Sequence, residues 1–389
     1  MRGSGALVVC VGRTDVRQSG VEQLNNDLKH ALEASGARFE WLDWSAYTPS
    51  DERGWFSFNA LGGAASTIAG LARACFRHRR AGTVVYAPLS QQGWGLGRDI
   101  AALALAALSG GARRSTVVHL HGEFRAEMQT RPRVAKLAYR IVARMPRTSF
   151  VANVRGLRFC GRATTFVPNR PSLPAAVAEA RSRPKSAEPT VVYLGVISPA
   201  KGCQVLMSAF RQVTVPARLV LVGPEYRRLP GYEARFCGQA EWSRALEIID
   251  GDERVVRVGP VYGDERYEWL RRAWVCVVPS FTEGGCLVVQ EALASGTQVI
   301  ATRVGPLAEM VEGTPGHVLV PAGDAGALAM AIEEALSLPP SEPAGVSPAY
   351  ASGGTSALEV LLQTAGQTPR QTADQMPASG AARPAAGRR

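Results

Sequence analysis

The sequence predicts an α/β protein made of two doubly wound parallel-sheet domains. Three observations carry this. Short β-branched runs alternate with helix-length amphipathic segments, the pattern of a parallel sheet covered on both faces. The alternation is broken once, by a proline- and alanine-rich stretch over residues 169–188. A length of 389 residues is enough for two cores of ordinary size.

The elements follow in order. Ala6–Val11 reads as the first strand, and Val21–Ser35 as a helix after a glycine-containing loop. Strands are expected at Arg38–Trp44, Thr83–Ala87, Ser115–Leu120, Ser149–Ala152 and Thr164–Val167, with helices near Ala64–Arg77, Leu96–Leu108 and Arg133–Met145 between them. The second series has strands at Thr190–Leu194, Ala217–Val222, Val255–Val258, Val275–Val278, Gln298–Ala301 and Val318–Val320. Its helices are expected at Cys203–Thr214, Trp242–Ile249, Asp264–Ala273, Leu287–Ser295 and Ala325–Leu336. The expected organisation is a first domain over 1–170, a linker over 171–188 and a second domain over 189–338. An extension with a short helix at Ser356–Thr364 fills 339–364, and a disordered basic tail covers 365–389.

Composition excludes several classes. The longest purely apolar run, Ile100–Leu108, is far short of the ~20 residues of a membrane span. Met1-Arg2-Gly3 leads straight into a strand with no signal-like segment, and the seven scattered cysteines form no CxxC pair. A cytoplasmic protein without disulfides or a zinc site is therefore expected. The net charge is +11, but the basic residues lack the interleaved aromatics of a nucleic-acid platform, so no nucleic acid is expected. Arg131, Arg133, Lys136, Arg140 and Arg144 interleave with Val134, Leu137, Ala138, Ile141 and Val142 as a basic amphipathic helix. Such a helix either packs with a solvated basic face or lies on an anionic membrane.

The most informative stretch is Val275–Val304. A strand ends at Pro279, a glycine-containing loop follows, and a helix starts at Leu287. Free N–H groups at such a helix start suit a phosphate or sugar oxygen. Glu283 stands in the loop and Glu291 eight positions on, inside the helix. Carboxylates beside an anion site make sense as acceptors for hydroxyl groups, and a site holding both phosphate and hydroxyls suggests a nucleotide sugar. Glu291 has Val288, Val289, Ala292 and Leu293 around it, which predicts a partly buried carboxylate needing partners. Asp250-Gly251-Asp252 looks like a metal-binding DxD, but its place between a helix and a strand favours a turn.

The ordered set of landmarks resembles family 4 retaining glycosyltransferases of the GT-B fold, over roughly residues 6–336. Ser19-Gly20-Val21-Glu22, His119-Leu120-His121-Gly122, Val167-Pro168-Asn169, Tyr193-Leu194-Gly195 with Lys201-Gly202, Val222-Gly223-Pro224, Gly259-Pro260-Val261 and Glu283…Glu291 all fall in the family's order. The resemblance implies two Rossmann-like domains facing a cleft, no cofactor, and no metal at the reaction centre. It implies a nucleotide-diphosphate sugar, UDP- or GDP-linked, on the second domain, and a glycan, lipid-linked or small-molecule acceptor on the first. By resemblance, Lys201 stabilises the diphosphate, Glu283 binds donor-sugar hydroxyls, Glu291 binds ribose, and His121 lies at the reacting centre. Gly20, Gly195, Gly223, Val261, Gly284, Gly285, Cys286 and Leu287 complete the implied donor site.

Two departures stand out. Val196 replaces an arginine usual in the family, a loss for which Arg13 or Arg303 is a candidate compensation. Gly285-Cys286 replaces a bulky residue and a glycine, which is expected to enlarge the donor-sugar pocket. Both leave open a catalytically weak partner subunit. A sugar-nucleotide epimerase and a phosphorylase are further alternatives; the latter needs a pyridoxal-phosphate lysine, for which only Lys185 and Lys201 exist in the second half.

Overall fold

The computed structural model describes residues 5–14, 20–44, 58–90, 93–109, 113–121, 133–170, 177, 184–229, 231, 233–337 and 354–367. Two six-stranded parallel sheets form its frame. The first contains β1 (Leu7–Gly12), β2 (Phe39–Asp43), β3 (Thr83–Pro88), β4 (Arg114–Leu120), β5 (Thr148–Ala152) and β8 (Thr165–Phe166), in the order β2-β1-β3-β4-β5-β8. The small strands β6 (Arg158–Phe159) and β7 (Arg162–Ala163) form a separate antiparallel pair. Their two-residue length carries no periodicity to be read from the sequence.

The second sheet runs β11-β10-β9-β12-β13-β14. Its strands are β9 (Thr190–Leu194), β10 (Arg218–Val222), β11 (Val255–Gly259), β12 (Val275–Val278), β13 (Gln298–Thr302) and β14 (Val318–Val320). Numbered within the domain this is 3-2-1-4-5-6, the dinucleotide-fold order. The strand order reverses between β9 and β12, and ligands of open α/β sheets bind outside the carboxyl ends at such a switch point.

Helices cover both faces of each sheet. In the first domain they are α1 (Gly20–Ala34), α2 (Phe58–Arg77), α3 (Gly93–Ser109) and α4 (Arg133–Arg144). In the second they are α5 (Cys203–Phe210), α6 (Gln239–Gly251), α7 (Glu265–Arg272), α8 (Leu287–Ala294), α9 (Leu307–Val311) and α10 (Ala325–Ser337). α5 stops at Phe210, four residues before the expected end. The β-branched Val213-Thr214-Val215 and then Pro216 disfavour continuation. The inner strands β9, β10, β12 and β13 are buried on both faces: Val191, Leu219, Val277 and Ile300 enter one core, and Val192, Val220, Cys276 and Val299 the other.

A final helix, α11 (Ala357–Ala365), opens with a capping box between Ser356 and Glu359. It packs on the first sheet, where Leu361 and Ala365 join Val8, Leu32 and Val117 in one core cluster. Ala6 N donates to Ala365 O at 2.9 Å, and Gln367 Nε2 donates to Ala6 O at 2.6 Å. The tail expected from Ala365 therefore begins no earlier than residue 368. Residues 368–389, most of the 171–188 linker and 338–353 lie outside the described residues.

In α4 the apolar residues divide between two faces. Tyr139, Val142 and Ala143 are buried, while Val134, Leu137 and Ile141 are 80%, 57% and 48% exposed. Among the described residues, no helix is long and apolar enough to cross a membrane.

Candidate active site

Two loops flank the switch point of the second sheet, and each holds the other. After β9, Gly195 N donates to Val222 O at 2.9 Å, and the chain turns through Ser198–Lys201. After β12, Phe281 N donates to Ala200 O at 3.0 Å. Gly202 sits at φ 71°, where a Cβ would fall 1.9 Å from Pro279 O, so only glycine allows this approach. The second loop is pinned from β13 by Thr302 Oγ1, which donates to Ser280 O at 2.6 Å.

This contact brings Lys201 and Glu283 together across 82 positions of sequence: Nζ lies 2.7 Å from Oε1. Ser280 Oγ donates to the same oxygen at 2.6 Å. Burial works against the Lys201 ammonium, but Glu283 and lesser neighbours outweigh it and hold its pKa above the ordinary lysine value. Glu233, which no sequence pattern flagged, accepts from Ala200 N at 2.9 Å and is buried. Burial raises its pKa, against the pull of that N–H, Ser198 and Lys201.

Glu291 is 2% exposed, as its neighbours predicted, and it already has protein partners. Arg266 Nη2 stands 3.2 Å away on α7, and Gln23 Nε2 reaches it at 3.5 Å from α1 of the first domain. Arg266 was invisible to the sequence reading because no motif contains it. Burial raises the Glu291 pKa while Arg266 and Gln23 oppose the rise. The two candidate replacements for the arginine missing at Val196 are both engaged elsewhere: Arg303 pairs with Glu312 at 2.7 Å, and Arg13 lies 3.9 Å from Glu22.

The remaining second-domain candidates surround this centre. Gly223 and Val261 follow β10 and β11, Val261 resting on the core. Gly284 and Gly285 are half-buried in the loop, and Cys286 and Leu287, both buried, open α8. Burial pushes the Cys286 thiol up, so it is no thiolate nucleophile at neutral pH. Asp250 ion-pairs with Arg227 at 2.9 Å and Arg257 at 2.8 Å, and Asp252 with Arg254 at 2.8 Å. Both acids of the DxD are thus spent on structure. No group of three or more metal-ligating side chains occurs among the described residues.

The first domain closes the site from the other side. Gly20, at the start of α1, faces Leu287: a Cβ there would sit 3.4 Å from Cδ1. Gln290 Nε2 donates to Asn169 O at 2.6 Å. His121 follows β4, and its ring stacks on His119 at 3.7 Å between centroids. His119 Nδ1 lies 2.7 Å from Tyr86 Oη. Burial lowers the His121 pKa to about 4, with the Asn169 carboxamide pulling the other way. The ring is neutral at physiological pH, and among the described residues neither nitrogen closes a hydrogen bond of normal geometry. Of the landmark residues, Ser19 and Gly122 lie outside the described residues.

Gly285 corrects one expectation. The space left by the missing bulky side chain is not open. A Cβ on Gly285 would fall 2.5 Å from Nδ2 of both Asn153 and Asn169. Two first-domain carboxamides occupy it.

Comparison with known proteins agrees with this arrangement. Residues 188–337 match the family model described as Glycosyl transferases group 1. A D-inositol 3-phosphate glycosyltransferase of Pseudarthrobacter chlorophenolicus is 34% identical over 128 residues, 31% of this chain and 28% of that protein. A second such enzyme, of Catenulispora acidiphila, is 34% identical over 196 residues, 46% and 43% of the two chains. A lipopolysaccharide 1,2-N-acetylglucosaminetransferase of Salmonella typhimurium is 32% identical over 134 residues, 33% and 34% of the two chains. The chain thus spans between 28% and 43% of the length of these relatives. Among solved structures, sucrose-phosphate synthase of Thermosynechococcus elongatus superposes with TM-score 0.62 at 20% identity, covering 86% of this chain and 90% of that one. Anabaena HepE, in complex with UDP and glucose, gives 0.60 at 17% identity, covering 93% and 98%. These likenesses show the GT-B fold.

Proposed function

We propose that the protein is a family 4 retaining glycosyltransferase that moves a sugar from a nucleotide-diphosphate donor to a glycan, lipid-linked or small-molecule acceptor. The observation that carries this reading is the convergence of Lys201, Glu283 and the start of α8 at the second sheet's switch point, facing His121 and Gly20. Transfer needs charge stabilised on the departing diphosphate, and a fixed cation with preorganised N–H donors does this. Lys201, held charged by Glu283, and the first-turn N–H groups of α8 fill that role. Glu283 accepts from donor-sugar hydroxyls. Ribose hydroxyls add to the partners of Glu291. Neutral His121 serves as a hydrogen-bonding group beside the reacting carbon, and the leaving phosphate takes the acceptor's proton. No metal is required in this scheme.

Anabaena HepE has been solved with UDP-glucose, and a further structural neighbour, from Escherichia coli, with UDP-2-fluoro glucose. UDP-sugars are therefore the first donors to try, and GDP-sugars the second. The expected setting is cell-surface polysaccharide, glycolipid or glycoconjugate synthesis at the inner face of the membrane. There the exposed Val134, Leu137 and Ile141, bordered by Arg133, Arg140 and Arg144, rest on anionic lipid.

Incubation with a panel of nucleotide sugars is expected to release nucleotide, and the product anomer should match the donor's. Lys201→Ala and Glu291→Ala should each abolish turnover while the protein stays folded; full turnover in both would refute the site. One observation favours a second reading. Val196 leaves one cation fewer than the family pattern, and no arginine named as a substitute is unengaged. Nucleotide-sugar binding without turnover would mark a partner subunit instead. Of the two lysines open to the phosphorylase alternative, Lys185 donates to Thr297 at 2.8 Å, at the amino-terminal edge of the sheet and away from the site, and Lys201 is paired with Glu283.

A further inference from the structure

Glu291 meets its partners through one oxygen. Arg266 Nη2 lies 3.2 Å from Oε1, and Gln23 Nε2 reaches the same atom at 3.5 Å. Oε2 accepts from no group among the described residues, and it is not one of the unpaired atoms sealed from solvent. The 2% of this residue that is exposed therefore includes an unpaired carboxylate oxygen. Of the two partners, only Arg266 shares a domain with Glu291. Gln23 comes from α1, at the limit of hydrogen-bonding distance.

Arg266 is itself held in place. It stands in the first turn of α7, where Nη2 also donates to Tyr267 Oη at 2.8 Å. A guanidinium this close favours the ionised carboxylate, against the burial that disfavours it. No other titratable group facing Glu291 can take its place. Asp27 of α1 opposes ionisation. Burial keeps Tyr267 of α7 and Cys276 of β12 neutral. β13, which also packs on α8, carries no titratable residue. An ionised carboxylate is purely an acceptor, whereas a protonated one turns an oxygen into a donor. Both the place and the charge of Oε2 thus depend on Arg266.

We propose that Arg266 is a positioning residue for nucleotide binding: it clamps Glu291 by Oε1 and presents the ionised Oε2 to the ribose hydroxyls of the donor. This role rests on the donor reading of the cleft given above, and brings in a residue outside every landmark of that reading. Gln23 gives way to the ribose, while the Arg266 pair, internal to the second domain, persists.

Calorimetric binding of UDP and 2′,3′-dideoxy-UDP, or of GDP and its dideoxy form if that pair binds instead, tests this. The two ligands share a diphosphate, so its titration and that of Lys201 cancel in the ratio of their affinities. At pH 7 the wild type should prefer the ribose form about tenfold. In Arg266→Met that preference should shrink to about threefold or less. It should return as pH rises toward 9, because a carboxyl with a raised pKa ionises only at higher pH. Arg266→Lys, which keeps the charge, should hold the preference at pH 7. Retained binding of the dideoxy ligand reports an intact fold, and Arg266→Gln supplies a second neutral variant if methionine unfolds the protein. A preference that keeps its wild-type value in the neutral variants, or is lowered equally at every pH, would overturn the positioning role and leave the donor site standing. Equal binding of both ligands by the wild type would overturn the ribose contact and the role of Arg266 with it. A wild type that binds neither ligand would overturn the donor reading itself.

Discussion

Replacing Arg266 with methionine should expose how the Glu291 carboxylate is held. The carboxylate is 2% exposed, its partner Nη2 is 3.2 Å away, and Gln23 offers only a 3.5 Å contact. Removing one member of a buried pair costs about 3–5 kcal/mol, because the other charge is left without compensation. The protein can limit that loss by protonating Glu291. Protonation costs about 1.4 kcal/mol for each pH unit above the unfolded value of about 4.3, so the ceiling is about 1 kcal/mol at pH 5 and about 3.7 at pH 7. The sign follows from linkage. A carboxyl whose folded pKa is raised contributes fully below its unfolded pKa and loses that contribution as pH rises toward the folded one. Burial already raises the Glu291 pKa in the intact protein, and losing Arg266 widens the window upward. Urea unfolding of the wild type, Arg266→Met, Glu291→Gln and the double variant at pH 5 and pH 7 measures this. The Arg266→Met deficit should grow by up to about 2.7 kcal/mol between the two pH values. The double variant should recover most of it, since Arg266 Nε is itself buried without a partner among the described residues. A deficit independent of pH, or additive losses in the double variant, would refute the argument.

Two further outcomes are expected. His121 is held neutral with a pKa of about 4, against an ordinary 6.5, so folding favours its uncharged form. Stability from this ring is present above about pH 6.5 and is lost as pH falls toward 4, by roughly 3 kcal/mol in total; His119 is shifted the same way by burial. His121→Gln should flatten that part of the stability-against-pH curve, and an unchanged curve would show that the ring is not buried neutral. On the membrane face, the protein should float with anionic vesicles at low salt. Leu137→Glu with Ile141→Glu should abolish flotation, and Arg140→Glu with Arg144→Glu should weaken it by about fivefold or more per charge. Wild-type protein that stays in the aqueous fraction at low salt would sink the membrane assignment.

The fold was largely legible because its inner strands are β-branched runs buried on both faces, and such runs announce themselves without tertiary information. Val275–Val278 and Val318–Val320 begin and end where the pattern placed them. Boundaries slipped where local chemistry decided them, as at the early end of α5. The site was legible only where glycines or acids sit at fixed spacing. Glu291 was recognised as buried from its apolar neighbours, but its partners Arg266 and Gln23 come from α7 and α1, distant in sequence and outside any motif. Glu233 and Asn153 were missed for the same reason. Asn153 carries a signal only when read together with Gly285, since each explains the other's side-chain volume.

The docking of α11 has a consequence for how the molecule comes into being. Leu361 and Ala365 belong to the same core as β1 and α1, so the first half of the chain is not self-sufficient. A nascent chain that has released every strand of the first sheet still exposes the groove that Leu361 will fill. That groove stays open throughout synthesis of the second domain, which is complete first as a contiguous stretch. Translation order and completion order are therefore inverted. A chain cut anywhere between Ser337 and Ala357 would strand the first domain with an apolar seam, while leaving the second domain whole. Split-protein designs, truncations and fusions of this chain should treat residues 354–367 as belonging to its beginning.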